Sequence, residues 1–278
     1  MKLARIYIVA NTGKEGTRRT LAILKAWCSV KGIKAITVDA APPYPVEPEG
    51  ALIVALGGDG TVLRAAGLFS GYEIPIIGAN LGSLGFLTQV RASSLTQALE
   101  GLVNGEGTVE PRMRIAYQVK DVSGSALNDV VLLGDGPTRF CELDLLNAAG
   151  EGIATYPGDG LIISTPTGST AYNLSAGGPV LVPGTDCIVA TPLATHRLGL
   201  RPLVFPGGIT LRVRAHTTVA LIADGDHVTT VQPEEVITIS RAAVPTFLVR
   251  MPDTAPFFRF LAEKLNWGAQ ANRKRKSL

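Results

Sequence analysis

The chain has 278 residues, 46% of them hydrophobic and 18% charged, which is enough for a sizeable core and for two domains. The net charge is +3, but Arg273, Lys274, Arg275 and Lys276 alone carry +4, leaving −1 on the rest; a body of that charge gives no footing for nucleic acid, and no such partner is expected. Mean hydropathy is +0.26, yet Gly and Pro break every apolar stretch short of the ~20 residues a spanning helix needs, so no membrane partner is expected.

The first half alternates two kinds of segment. The apolar run within Met1 to Ala10 is too short for a signal peptide and reads as a first strand, which places the protein in the cytoplasm. Further strands are predicted at 35–38, 51–56 and 74–78, and helices at 18–31, 61–69 and 94–103, a pattern of α/β class with a largely parallel sheet. From about residue 107 the rhythm changes to short alternating strands at 115–120, 128–133, 143–147, 161–164, 210–215, 219–223, 236–240 and 247–250, which read as a β-sandwich. A Pro-bounded stretch at 256–267 is helical. The expected division is therefore 1–105 as a three-layer α/β domain, 106–251 as an all-β sandwich domain, and 252–278 as a terminal helix with a basic tail.

Cys28, Cys141 and Cys187 are odd in number and far apart, as expected of buried free thiols. His196, His216 and His227 lack metal-ligand spacing, so no zinc site is expected; His227 stands out only for its closeness to Asp224-Gly225-Asp226.

Two glycine-rich Asp-Gly turns lie about a hundred residues apart, Gly57-Gly58-Asp59-Gly60-Thr61 and Gly158-Asp159-Gly160. The first follows the wholly apolar run 51–56, which suits a strand buried on both faces. Thr61 is positioned to cap a helix beginning there, and the free N–H groups of such a helix start attract anions. Asp59 would be repelled by phosphate unless a metal ion or a transferable proton gives it a task; the plain alternative is a helix-capping Asp. The second turn leads into 164–175, where Ser164, Thr165, Thr167, Ser169, Thr170 and Ser175 crowd around Pro166 and Gly168 beside Tyr172 and Asn173. Apolar flanks would bury this block, and its hydroxyls then demand partners, which a polar ligand with an aromatic base would supply. Asn11 to Thr17 is not a Walker loop, and Gly78 to Gly85 is not a dinucleotide fingerprint; Lys14 reads first as a plain surface lysine, with contact to a phosphate from its loop as the alternative.

Gly57 to Thr61, Gly82-Ser-Leu-Gly-Phe-Leu87, Leu127-Asn128-Asp129-Val-Val131, Asp159 to Pro179, Arg201-Pro-Leu-Val204 and Phe257 to Trp267 follow one another as they do in the bacterial and archaeal NAD kinases, which the chain resembles over nearly its whole length. The resemblance implies transfer of the γ-phosphoryl group of ATP, or in some members of inorganic polyphosphate, to the 2′-hydroxyl of the adenosine ribose of NAD, with Mg²⁺ or another divalent cation. Asp59 is then the general base and touches NAD together with Gly60, while Gly57, Gly58, Gly60 and Thr61 lie along phosphates. Phe86 resembles the aromatic at the adenine end, and Asn128 with Asp129 the Asn-Glu pair that holds adenosine. Asp159, Thr167, Thr170, Ala171, Tyr172, Asn173, Leu174 and Ser175 resemble the loop that wraps the dinucleotide; Arg139 and Asp226 join them by spacing. No metal ligand is assigned.

The resemblance also implies that the terminal helix returns to the first domain, and that a homodimer or homotetramer completes the NAD site. Two positions depart from the family pattern. Asp129 stands where Glu is usual, an arm one methylene shorter, and Pro157 stands where an Arg commonly precedes Gly-Asp-Gly. A lipid kinase shares the Gly-Gly-Asp-Gly-Thr turn, but the 164–175 block suits a dinucleotide; a nonenzymatic sensor would have no need of Asp59.

Overall fold

In the computed structural model, which describes residues 2–39, 45–136, 138–254 and 256–265, the strands Lys34–Thr37, Arg5–Ala10, Ala51–Leu56 and Ile76–Asn80 lie side by side and parallel. Successive side chains of a strand face opposite ways. Ile6, Ile8, Leu52 and Val54 therefore pack on one face with Leu24 and Cys28 of the helix Thr17–Lys31 and Leu95 and Leu99 of the helix Leu95–Val103. Tyr7, Val9, Ile53 and Ala55 pack on the other with Val62, Ala65 and Ala66 of the helix Asp59–Leu68. Three layers result, as expected.

The sheets do not divide at residue 106. Thr108–Arg112 and Thr246–Arg250, expected in the sandwich, pair with each other antiparallel and extend the first sheet, Leu248 pairing with Ile76. Val249 is buried in one first-domain core and Leu248 in the other. Local alternation marks both segments as strands, but which sheet they join is decided by partners distant in sequence.

Between them, two six-stranded antiparallel sheets pack face to face. Ile115, Leu143, Leu145, Val213, Ile237 and Ile239 of one meet Val130, Leu132, Leu161, Ile163, Ile188 and Leu221 of the other in a shared core. The three cysteines are buried and free. No helix of the described residues is long and apolar enough to cross a membrane.

Arg114, 2% exposed, stitches the two parts together. Its guanidinium donates to the Ser125 carbonyl (2.8 Å) and hydroxyl (3.0 Å), to Thr246 Oγ1 (3.0 Å) and to the Ala66 carbonyl (3.3 Å). The terminal helix Phe257–Leu265 returns to the first domain, where Lys264 Nζ donates to Ser83 Oγ at 3.1 Å and the rings of Phe257 and Phe260 lie 6.1 and 6.2 Å from that of Phe86. Asn266, Trp267 and the basic run 273–276 lie outside the described residues.

On the sandwich, His216 sits between Asp144 (2.7 Å) and Glu234 (2.9 Å). Hydrogen bonds to Asp144 and then to Glu234 raise the pKa of His216. Burial would raise that of Asp144, but hydrogen bonds from Thr155 and His216 bring it below the ordinary value. The histidine contribution to stability is full below about pH 6.5 and is lost as pH climbs through its raised pKa; the Asp144 contribution is present above about pH 4 and is lost as pH falls through its lowered one. His216→Ala should therefore lower the urea midpoint more at pH 5.5 than at pH 9. Equal losses at the two pH values would contradict this assignment.

Candidate active site

The strands Arg5–Ala10 and Ala51–Leu56 are neighbours, but the chain leaves the first for one face of the sheet and the second for the other. Their carboxyl ends consequently open a crevice, the place where open α/β sheets bind ligands. The loop after the first strand carries Lys14 and the turn after the second carries Gly57 and Gly58. A side chain at Gly58 would stand 3.6 Å from Lys14 Nζ, so the ammonium hangs over the turn. A Cβ at Gly57 would collide with the Thr61 hydroxyl.

That packing corrects one expectation. Thr61 is not the cap: the helix starts two residues earlier, at Asp59, with Gly58 as N-cap and no side-chain cap bond. Thr61 is instead the third residue of the helix, buried against Gly57. The N–H groups of Asp59 and Gly60 open the helix without an intrahelical acceptor.

The Asp59 carboxylate reaches across to the segment 86–88. Oδ1 accepts the N–H of Leu87 (3.1 Å), the N–H of Thr88 (3.0 Å) and the Thr88 hydroxyl (3.0 Å), whereas Oδ2 accepts only the N–H of Phe86 (2.8 Å). Gly85 lies so close to this carboxylate that any Cβ there would strike it. A carboxylate offers about four lone-pair sites, two on each oxygen. Oδ1 is therefore fully used, and Oδ2, bonded to the Phe86 N–H alone, retains a site. Phe86 borders a cleft of about 460 Å³ between the two parts of the molecule, lined also by Thr167, Thr170, Phe257 and Phe260.

Asn128 and Asp129 stand where a sandwich strand begins, and three backbone N–H groups there, of Leu127 (2.7 Å), Asn128 (2.6 Å) and Asp129 (3.4 Å), converge on the Asp224 carboxylate. Asp224 occupies the turn between the strands Val219–Ala223 and Asp226–Val231, in a left-handed conformation with φ 50°. Asp129 is 5% exposed. Burial, then the neighbouring Asp224, pushes its pKa up to about 7. Burial also raises Asp224, against the pull of the N–H groups and of Arg114.

The hydroxyl-rich block answers most of its own demand, contrary to expectation. Ser164 Oγ donates to the Asn128 carbonyl, Thr165 Oγ1 to the Leu127 carbonyl, and Ser169 Oγ to the Pro166 carbonyl. Asn173 is fully buried: its amide donates to the carbonyls of Ser169 and Pro179 and accepts from Thr191. A Cβ at Gly168 would collide with the Asn128 carbonyl. These groups clamp the loop onto Asn128, which leaves other members free to meet a ligand. Thr167 and Thr170 line the interdomain cleft. Ala171 and Tyr172 line a second cavity of about 450 Å³ with Asn128, Asp129 and Asp224. Leu174 is half-buried and Ser175 exposed beyond them.

Three predicted positions lie elsewhere. Ser164 pairs with Asp129, and Asp159 lies five residues back along the same strand direction, roughly 17 Å away at ~3.3 Å per residue. Arg139 is exposed, with φ 53°, in the connection beyond Gly134 at that same end. Asp226 is exposed at the start of its strand, and the carboxylate at the cavity is Asp224. Sequence reasoning missed Asp224, for which the Asp-Gly dipeptide after an apolar strand was the available signal, and Phe257 and Phe260, whose i, i+3 spacing puts both rings on one helix face. Among the described residues no three His, Cys, Asp or Glu side chains gather as a metal site would require.

Comparison with known proteins shows the family. Family models described as ATP-NAD kinase N-terminal domain and ATP-NAD kinase C-terminal domain match residues 46–107 and 127–251. The NAD kinase of Moorella thermoacetica is 38% identical over 96% of this chain and 90% of its own length. That of Gemmatimonas aurantiaca is 43% identical over 80% of this chain and 79% of its own. The crystal structure of an NAD kinase from Archaeoglobus fulgidus in complex with ATP superimposes with a TM-score of 0.74 at 27% identity, covering 89% of this chain and 94% of that one. Yeast NADH kinase complexed with NADH shares the fold, with a TM-score of 0.85 at 24% identity over 97% of this chain and 89% of that one. Both parts of the molecule thus match a single family, which sets the lipid kinases aside: the chain belongs to the NAD kinases.

Proposed function

We propose that this chain transfers the γ-phosphoryl group of ATP to the 2′-hydroxyl of the adenosine ribose of NAD, producing NADP and ADP. The observation that carries the reading is the Asp59 carboxylate at the glycine turn, whose Oδ2 accepts one N–H, that of Phe86, and keeps a lone-pair site, while Phe86 itself lines the interdomain cleft. A secondary hydroxyl is a weak nucleophile, and a carboxylate within hydrogen-bond reach orients it and takes its proton. The O2′–H proton passes to Asp59 Oδ2 as O2′ bonds to the γ-phosphorus. The bond from that phosphorus to the bridging oxygen breaks, and ADP departs.

The donor phosphates lie over Gly57, Gly58, Gly60 and Thr61, where the helix N–H groups and the Lys14 ammonium supply positive charge. The adenosine of NAD rests between Phe86, Thr167, Thr170 and the Asn128–Asp129 pair, and the rest of the dinucleotide follows Ala171 and Tyr172 into the second cavity. Mg²⁺, which characteristically binds through substrate phosphates plus one or two carboxylates rather than an all-protein cage, suits a site without a cluster of acidic ligands; held by the ATP phosphates, it would neutralise their charge. We place the enzyme in the cytoplasm with these substrates.

The Asp59 assignment is tested by Asp59→Asn, which keeps the size and one acceptor oxygen for the Leu87 and Thr88 donors, gives up the acceptor for the Phe86 N–H, and cannot take the proton. Turnover should fall roughly 10²- to 10⁴-fold, with the KM for NAD little changed. Near-normal turnover would remove Asp59 from the role.

The same reading makes the active form a homo-oligomer, a dimer or tetramer, assembled through the sandwich. On the outer side of one sheet Leu133, Ile222 and Ala176 are only partly buried around the covered cluster of Val131, Ile162 and Leu193, Tyr172 is 44% exposed beside them, and exposed apolar surface of this kind favours symmetric self-association. Asp159, remote from Asp129 in its own chain, then serves the site of a neighbouring copy. Mixing inactive Asp59→Asn chains with inactive Asp159→Ala chains should restore part of the activity. Full activity from a species that light scattering shows to be monomeric would sink this proposal, and an oligomer without complementation would confine Asp159 to its own subunit.

A further inference from the structure

The second cavity is lined by two acids, and the one cation near them is committed elsewhere. Asp129 and Asp224 both line it. The charged and titratable groups near Asp224 from the surrounding elements are Arg114 and Tyr117, before and within the strand Ile115–Val119, the charged neighbour of Asp129 is Asp224, and Tyr172 lines the cavity from the loop above. Arg114 is close enough to be felt by Asp224, but its donors are committed to Ser125, Thr246 and Ala66. With both carboxylates ionised, this buried region would hold one negative charge too many, and burial makes such an excess costly.

The two acids are not equivalent. Asp224 accepts three backbone N–H groups, whereas among the described residues none donates to the Asp129 carboxylate. A single proton therefore belongs on Asp129 while the cavity is empty of ligand. An Asp129 that receives hydroxyl donors has the opposite preference, because such bonds stabilise the ionised form.

We infer that Asp129 and Asp224 hold one proton between them in the free enzyme below neutral pH and that NAD expels it on binding, with Asp224 the positioning residue that fixes the backbone posture of Asp129 and adds to burial in disfavouring its charge. This rests on the reading that hydroxyls of NAD reach Asp129. The upward displacement of the Asp129 pKa to about 7 places the exchange in the range where it is measurable. Protonation opposes binding, so affinity for NAD rises with pH up to the neutral region and levels off above it.

Titration calorimetry of the full chain with NAD at pH 6.5, in buffers of different ionisation enthalpy, counts the protons. The expected result is a net release of protons on binding at pH 6.5 that shrinks at pH 8.5, with affinity improving by up to about tenfold per pH unit below neutrality. Asp224→Asn, which removes the second charge and keeps one acceptor oxygen, should move the pH dependence to lower pH and reduce the release at pH 6.5 without abolishing it, since burial of Asp129 remains, whatever its effect on affinity. Binding of NAD to the wild type without proton exchange at pH 6.5 overturns the inference and leaves the kinase reading intact. Undiminished release from Asp224→Asn overturns the part given to Asp224. Failure of NAD to bind at any pH overturns the kinase reading beneath it; if the variant does not fold, the wild-type count decides alone.

Discussion

The grip of the Phe86–Thr88 backbone on Asp59 is the constraint from which the site is built. Three N–H groups and a hydroxyl converge on one carboxylate, and they can do so only because Gly85 presents no side chain to it. Hydrogen bonds to a charged group contribute about 1.5–3 kcal/mol each, so this contact fixes where the loop lies as well as where the acid points. The loop in turn sets Phe86, and Phe86 gives the terminal helix the aromatic surface on which Phe257 and Phe260 settle. One carboxylate thereby orders the wall of the interdomain cleft that Phe86 and Leu87 line.

A second clamp answers it from the sandwich. The loop 164–173 spends its buried hydroxyls and the Asn173 amide on backbone carbonyls, and Gly168 lets it press directly on Asn128. Asp224 holds the same turn from the opposite side. Arg114 then joins this half to the helix that begins at Asp59, through the Ala66 carbonyl near that helix's end. The groups that meet substrate are few, and most of the polar residues around them are occupied in holding those few in place. Such preorganisation is what phosphoryl transfer asks of a protein, since positioning and charge stabilisation supply most of its catalysis.

Much of this was legible in the sequence where the signal is local. The strands Arg5–Ala10 and Ala51–Leu56 are continuous apolar runs ended by turn residues, and the structure has them with those bounds. The Asp59 turn is equally plain, because glycines at 57, 58 and 60 leave little other use for the backbone. What failed to show was anything decided at a distance. Thr246–Arg250 reads as a strand but joins the first sheet through Ile76, some 170 residues earlier in the chain. The Ser/Thr block announced buried hydroxyls correctly, yet nothing in it says that Leu127 and Asn128 would receive them. Asp224 and Asp226 flank one glycine, and only the register of the hairpin shows that Asp224 is the acid turned toward Asn128.

The central claim is that the hydroxyl next to Asp59 is the 2′-hydroxyl of the adenosine ribose. Purified protein incubated with NAD, ATP and Mg²⁺, with the product followed by ³¹P NMR, tests it most directly. The account predicts a new monophosphate resonance on the adenosine 2′-oxygen, formed in step with ADP and convertible by an NADP-dependent dehydrogenase. ATP consumed without that resonance, or a phosphate carried at any other position of the dinucleotide, would contradict it.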